Sequence, residues 1–218
     1  MPPPMFDPSR FGSELAYTLI VVFLFVFVYF RTREMYDLTK HKGIHYFRNA
    51  FLFFGLAYAA RFLFHLVQLG FIVLDYRRPG MMLFPLVFPI VGYLGTIAIF
   101  YLAYSTYWER IRYSYFLIVS NFVALIVAVA AFISGSPFVV ALVQLPLIIF
   151  TLVKTSKVAH KKKSHVKALY FLVSLFWLLN LFVLTPRWFV PFEAKVALQL
   201  VSTAVFIFLA YKVLRWTR

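Results

Sequence analysis

One charged side chain lies in the middle of a long apolar stretch of the sequence. Arg61 lies 13 residues after the preceding basic residue and 14 before the next charged one, which in a helix places it about 20 Å from either polar boundary. Tyr58, His65 and Gln68 lie at positions −3, +4 and +7 relative to Arg61, so a helix presents all four side chains on one face. A guanidinium offers five hydrogen-bond donors and stays charged in proteins. This face therefore predicts a site for an anionic or polar ligand, with His65 as a proton-sensitive neighbour.

Polar residues in other apolar stretches are candidates to complete this site. We expect Asn180 and Gln199 to face Arg61, because their amides fall at middle or outer depths of their own stretches. Further candidates of the same kind are Asn121, Gln144, Ser202 and Thr203. All seven Asp and Glu residues lie in polar joints or near the ends of the apolar stretches. Arg61 therefore either ties helices together through carbonyls and amides, or meets an anion that comes from outside the protein.

The composition requires that these residues be held by transmembrane helices. The 218 residues are 63% hydrophobic and 13% charged, whereas soluble domains are about half apolar and a quarter charged. Helices are favoured because backbone amides in a bilayer must pair within their own segment. The sequence thus predicts an all-α, single-domain bundle over residues 1–218. Its seven spans are roughly 12–30, 49–74, 81–107, 115–134, 137–155, 167–185 and 194–214, each close to the length that crosses a bilayer.

The basic residues predict the orientation of the chain. The net charge is +15, and with the N-terminus outside, 16 Lys and Arg residues fall in the inner joints and tail against 5 outside. Such a bias predicts an outside N-terminus and a cytoplasmic C-terminus. We expect the inner charges to lie against anionic lipid headgroups, and we expect no nucleic-acid partner.

An internal repeat is indicated by two segments. Thr96–Tyr104 and Thr203–Tyr211 share Thr, Leu, Ala and Tyr at a constant offset of 107 residues, and they end the third and seventh spans. This pattern predicts two parallel three-helix repeats joined by helix four, an arrangement used by transporters. In its length, orientation and 3+1+3 division, the chain resembles the SWEET, PQ-loop and KDEL-receptor architecture. The Pro-Gln dipeptide of PQ-loop proteins has no counterpart, the nearest segment being Gln144-Leu145-Pro146, so the resemblance implies a fold but no site residues.

The sequence-based expectation for function is a membrane transporter of the cell membrane. It would handle a small anionic or polar solute in a central cavity around Arg61. The alternative is a stand-alone seven-helix receptor or sensor that signals through a partner protein, and a third is a structural subunit of a membrane complex. We expect no enzyme, because the spans carry no carboxylate pair and no cysteine nucleophile. We also expect no cofactor and no metal site.

Overall fold

The protein forms a bundle of long helices. The structure, a computed structural model, describes residues 8–74, 79–160, 166–185 and 190–216. Within these ranges the chain forms seven α-helices and no strand. The helices are α1 (Pro8–Thr39), α2 (Lys42–Val73), α3 (Pro79–Tyr107), α4 (Tyr113–Ser134), α5 (Pro137–His160), α6 (Val166–Val183) and α7 (Phe192–Trp216).

The helices have the length and the surface of transmembrane segments. Six of those in the described ranges are long and apolar enough to cross a bilayer. The other is α6, whose 18 residues span about 27 Å, near the lower limit for crossing. Large apolar side chains point outward, including Phe23, Ile118 and Leu142, which are 70%, 69% and 74% exposed. The prediction of an all-α, seven-helix, multi-pass membrane protein is confirmed.

Residues 31–48, the polar joint between the first two predicted spans, are mostly helical. Helices α1 and α2 continue through it, and only Lys40 and His41 lie outside a helix. Polar residues extend α1 beyond its apolar part with ion pairs one turn apart, such as Arg31 with Glu34 at 2.8 Å. The helix ends where Lys40 adopts a left-handed conformation, with φ of 50°, as is common at helix C-termini. Helix ends therefore follow hydrogen bonding and capping, and the membrane surface does not determine them.

The helices pack in a closed ring that follows their order in the chain. Each helix contacts its sequence neighbours, α7 packs back against α1, and α3 also packs against α5. Aromatic side chains bridge α2 and α6 across the ring, as where the rings of Phe54 and Trp177 lie 4.3 Å apart. Because successive helices alternate in direction, the basic residues of the α1–α2 and α3–α4 joints lie at the same end of the bundle. We call this the basic end, and the other the opposite end.

The two segments of the predicted repeat occupy different environments. Thr96–Tyr104 lies in α3, which packs against α2, α4 and α5, whereas Thr203–Tyr211 lies in α7, which packs against α6 and α1. Tyr104 is 4% exposed, and its counterpart Tyr211 is 55% exposed. The identical residues of the two segments therefore pack in different surroundings, and the 3+1+3 repeat stays a prediction.

A buried amide ties α3, α5 and α6 together. The Gln144 Nε2 donates to the carbonyl oxygen of Gly92 and to Thr96 Oγ1, at 3.2 Å each. The indole Nε1 of Trp177 donates to Gln144 Oε1 at 2.9 Å. Gln144 is fully buried, so both Nε2 hydrogens and its oxygen are satisfied within the protein, as an apolar setting requires.

Orientation in the membrane is testable with single cysteines, because the native chain contains none. Leu38 is exposed at the basic end, and Ser134 is exposed at the opposite end. We expect Ser134→Cys to react with a membrane-impermeant maleimide in intact cells and Leu38→Cys to react only after permeabilisation, because basic joints stay inside. Labelling of Leu38→Cys in intact cells would reverse the assigned orientation.

Candidate functional site

One seam of α2 carries aromatic and polar side chains in sequence along its length. Phe47, Phe51, Phe54, Tyr58 and Arg61 follow one another at alternating intervals of four and three residues, which keeps them on one helical face. His65 and Gln68 continue the same spacing. From Phe47 near the basic end to Arg61 the seam rises about 21 Å. It therefore passes through much of the membrane thickness along a single line.

A hydrogen-bonded cluster from three helices lies beside this seam. The Tyr17 hydroxyl of α1 donates to Asn180 Oδ1 of α6 at 2.5 Å and lies 2.9 Å from Ser202 Oγ of α7. Asn180 Nδ2 donates to the same Ser202 oxygen at 2.9 Å and to the carbonyl of Phe176 at 2.7 Å. The Tyr17 ring packs edge-on against Tyr58, with centroids 6.3 Å apart. The cluster thus joins α1, α6 and α7 to α2.

Arg61 lies half-buried at a narrow crevice next to this cluster. We call it the polar crevice because Tyr58, Arg61 and Asn180 line it; its volume is about 10 Å³, and its remaining lining is Ala57, Val91, Trp177, Leu181 and Leu184. That volume is about what one water molecule requires. The guanidinium is close enough to Tyr17 and Tyr58 to interact with both electrostatically. Among the described residues, no carboxylate lies within ion-pair distance of Arg61.

His65 lies one turn further along α2, toward the opposite end, and has an acidic neighbour. Its Nε2 is 3.8 Å from a carboxylate oxygen of Glu14 on α1, and the ring of Phe11 packs edge-on against it at 5.8 Å. The imidazole is 7% exposed, and neither ring nitrogen has a hydrogen-bond partner within the described ranges. Arg61, His65 and Glu14 therefore form a short row of ionisable groups between α1 and α2.

Aromatic rings fill the centre of the bundle on the basic-end side of Arg61. We define the aromatic layer as Phe25, Phe51, Phe54, Phe176, Trp177 and Phe206, all at most 2% exposed. Phe25 lies at its centre, with its ring centroid 4.4 Å from that of Phe206 and 5.6 Å from that of Phe176. Such offset and edge-on contacts add to the stability that burial provides. The layer therefore closes the centre of the bundle on the basic-end side of Arg61.

A second space lies between the aromatic layer and the basic end. This basic-end pocket has a volume of about 250 Å³ and is lined by His41, Gly43, Ile44, Phe47, Ser105, Leu169 and Tyr170. The Phe47 ring connects it to the aromatic layer, because its centroid is 4.9 Å from that of Phe51. Ser105 Oγ and the Tyr170 hydroxyl are hydrogen-bonded at 2.5 Å on the pocket wall. Pocket, aromatic layer and crevice thus follow one another along α2.

Comparison with known proteins identifies one relative with a match over the full length. The chain is 35% identical to a protein of Archaeoglobus fulgidus described as "Uncharacterized protein", in an alignment 229 positions long that covers 99% of each chain. The two proteins belong to one family. No protein-family model matches the chain, and no solved structure matches it. Because the relative's description names no activity, the function is inferred from the geometry of the site.

The structure brings some of the predicted site residues together and separates others. Asn180 lines the polar crevice with Tyr58 and Arg61, whereas His65 and Gln68 lie further along the seam. Gln199 is buried without lining the crevice, and its carbonyl accepts a hydrogen bond from Thr203 at 2.8 Å.

Of the further candidates, Ser202 joins the cluster, but two others lie elsewhere. Asn121 is exposed on the surface of α4, where its Oδ1 accepts a hydrogen bond from the Tyr93 hydroxyl at 2.7 Å. Gln144 belongs to the contact between α3, α5 and α6. Sequence reasoning missed Tyr17 and Glu14, both on α1. The buried positions of α1 are spaced by about one helical turn, at Tyr17, Val21, Phe25 and Val28. This spacing cannot be recognised in the sequence, because the other faces of α1 are also apolar.

Proposed function

We propose that the protein is a transporter of the cell membrane for a small anionic or polar solute. The observation that carries the proposal is the order of features along one seam of α2. A pocket at the basic end, a closed aromatic layer and a crevice beside a mid-membrane arginine follow one another there. A guanidinium suits carboxylate and phosphate groups, which it binds with two parallel hydrogen bonds. Its position deep in the membrane is costly, and intramembrane charges commonly mark a solute pathway.

In this proposal, Arg61 binds the solute and the aromatic layer acts as the barrier. The polar crevice, at about 10 Å³, is too small for a solute, so binding requires α1 and α2 to separate from α6 and α7. The hydrogen bonds of Tyr17 with Asn180 and Ser202 cross the boundary between these two pairs of helices. They would break on separation, which would expose hydroxyl and amide groups to the solute. Movement of Phe25 out of the aromatic layer would then connect the crevice to the basic-end pocket.

The test is solute uptake into liposomes that contain the purified protein. We expect saturable uptake of radiolabelled acetate or inorganic phosphate above that of empty liposomes. Phe25→Ala removes the ring at the centre of the aromatic layer and should raise the uptake rate severalfold, because a hydrophobic constriction controls passage. The matched control is Phe122→Ala, which removes an outward-facing ring that is 64% exposed on α4 and should leave uptake unchanged.

Each outcome of this experiment has a definite consequence. Equal rates for Phe25→Ala and the wild type, with both variants folded by circular dichroism, would contradict the role of the aromatic layer. Saturable binding without uptake would contradict transport and support a receptor or sensor, the second candidate function. Absence of both binding and uptake for these anions would contradict an anion site at Arg61.

The second candidate is a receptor or sensor that signals through a partner protein. It is favoured by the ring order of the helices, which needs no repeat, and by the tightly closed centre around Phe25. A ligand at the polar crevice would then shift α6 and α7 against α1 and α2 and change the surface at the basic end. Binding without flux in the same liposomes distinguishes this candidate from the first.

A further inference from the structure

An apolar groove lies on the outer surface of the bundle, near the basic end. It has a volume of about 340 Å³, within the size range of small-ligand sites. Side chains of α3, α4 and α5 form it. Its lining consists mainly of Ile99, Phe100, Ala103, Phe116, Val119, Leu147 and Phe150. Because Phe150 is 53% exposed and Tyr115, at the groove's edge, is 66% exposed, the groove opens toward the surrounding lipid.

The apolar walls of this groove determine what can fill it. Its polar lining includes Thr151 and Tyr104, whose hydroxyls already donate to the carbonyls of Leu147 at 2.7 Å and Ile111 at 2.8 Å. A space lined in this way offers water few partners and stays dry unless an apolar group enters. A lipid hydrocarbon chain is the apolar group that a groove open to the bilayer meets first.

Positive charge lies at the end of the groove that faces the basic end. Lys154 lines the groove, and its ammonium lies 5.5 Å from the centroid of the Phe150 ring. Ile111 also lines it and stands between Arg110 and Arg112, both of which are exposed. The α3–α4 joint contributes one acid, Glu109. The net charge around the mouth is positive, which favours an anionic headgroup.

We propose that this lipid groove is a binding site for one anionic phospholipid. One hydrocarbon chain lies between α3, α4 and α5, and the phosphate lies at Lys154. A lipid held in this way connects α4, at Phe116 and Val119, to α5, at Leu147 and Phe150. Binding at this site differs from contact with the surrounding lipid headgroups, because it requires both a groove that fits one hydrocarbon chain and a cation at the end of that groove. The site is independent of Arg61 and of the proposed transport.

The test measures lipid retention on the delipidated protein by native mass spectrometry. We expect phosphatidylglycerol to bind with a first site that saturates at one molecule per chain and to be retained better than phosphatidylcholine. Lys154→Gln should weaken the binding of phosphatidylglycerol about fivefold, the effect of about 1 kcal/mol, and weaken that of phosphatidylcholine less, because the choline cation already offsets the charge of its phosphate. Ala103→Leu, which fills the groove, should reduce the retention of both lipids.

The matched control is Lys212→Gln. Lys212 lies over the Phe208 ring at 5.7 Å on α7, the same geometry as Lys154 over Phe150, but away from the groove. The Lys212→Gln substitution should leave phosphatidylglycerol binding at the first site unchanged. Equal retention of the two lipids, wild-type binding by both Lys154→Gln and Ala103→Leu, or an equal loss in Lys212→Gln would overturn the proposal. Thermal melts confirm that each variant is folded before binding is compared.

Discussion

Replacing Arg61 with leucine should abolish uptake of acetate and phosphate while leaving the protein as stable as the wild type, or more stable. An arginine at the centre of a membrane helix costs about 2.5–3.5 kcal/mol on insertion scales, and leucine removes that cost. No ion pair is lost among the described residues, because none includes Arg61. The measurements are uptake into liposomes and the thermal unfolding of the same preparation.

Asn180→Leu provides the contrast in stability. This change removes the acceptor for the Tyr17 hydroxyl and a donor to Ser202, leaving buried polar groups with fewer partners. We expect it to lower the free energy of unfolding by about 1–3 kcal/mol. If Arg61→Leu destabilises the protein as much as Asn180→Leu does, then Arg61 serves to hold helices together. If Arg61→Leu retains full uptake, the anion site is wrong.

Arg61→Lys separates the need for charge from the need for shape. Lysine keeps a positive charge but lacks the planar fork that binds carboxylate and phosphate with two hydrogen bonds. Uptake that survives in Arg61→Lys would show that a point charge is sufficient at the crevice. Uptake that is lost in Arg61→Lys, with the protein folded, would show that the solute is held by both arms of the guanidinium.

The number and type of the helices could be predicted because hydrophobicity along the chain is a local signal. Each apolar stretch must form a helix to satisfy its own backbone in lipid. The ends of the helices could not be predicted from hydrophobicity. Arg31 and Glu34 follow the apolar run of α1 and still belong to the helix, which continues to Thr39, because polar side chains one turn apart support a helix in water as well.

The candidate site was predictable along α2 but not across the bundle. The spacing of Tyr58, Arg61 and His65 determines their shared face, since that depends on helical geometry alone. The partners from other helices depend on how each helix is rotated about its axis. Asn180 and Gln144 both fall within apolar stretches, yet one faces the crevice and the other lies between α3, α5 and α6.

Gly95 of α3 lies against Gln144 of α5 and Trp177 of α6, and it should tolerate no side chain. A Cβ atom at this position would lie 2.6 Å from Cζ2 of Trp177 and 2.8 Å from Nε2 of Gln144. These two groups are themselves joined by the hydrogen bond from the indole to the amide. Both must therefore move to admit a methyl group, and Gln144 would lose its contacts with Thr96 and with the carbonyl of Gly92.

Gly95→Ala should consequently be among the most destabilising single substitutions in the protein. Overpacking alone costs about 1–3 kcal/mol, and each interhelical hydrogen bond lost in a membrane adds about 0.6 kcal/mol. We expect a loss of at least about 2 kcal/mol, measured by thermal or denaturant unfolding in detergent.

The matched control is Gly70→Ala in α2, where a Cβ would have no neighbour within 4 Å. It should be neutral or stabilising by up to about 1 kcal/mol, because alanine is the better helix former. Equal stability of Gly95→Ala and Gly70→Ala would show that α3, α5 and α6 are not in close contact at Gln144. The double variant Gly95→Ala with Trp177→Leu should lose less stability than the sum of the two single variants, since the smaller side chain removes the closer of the two clashes.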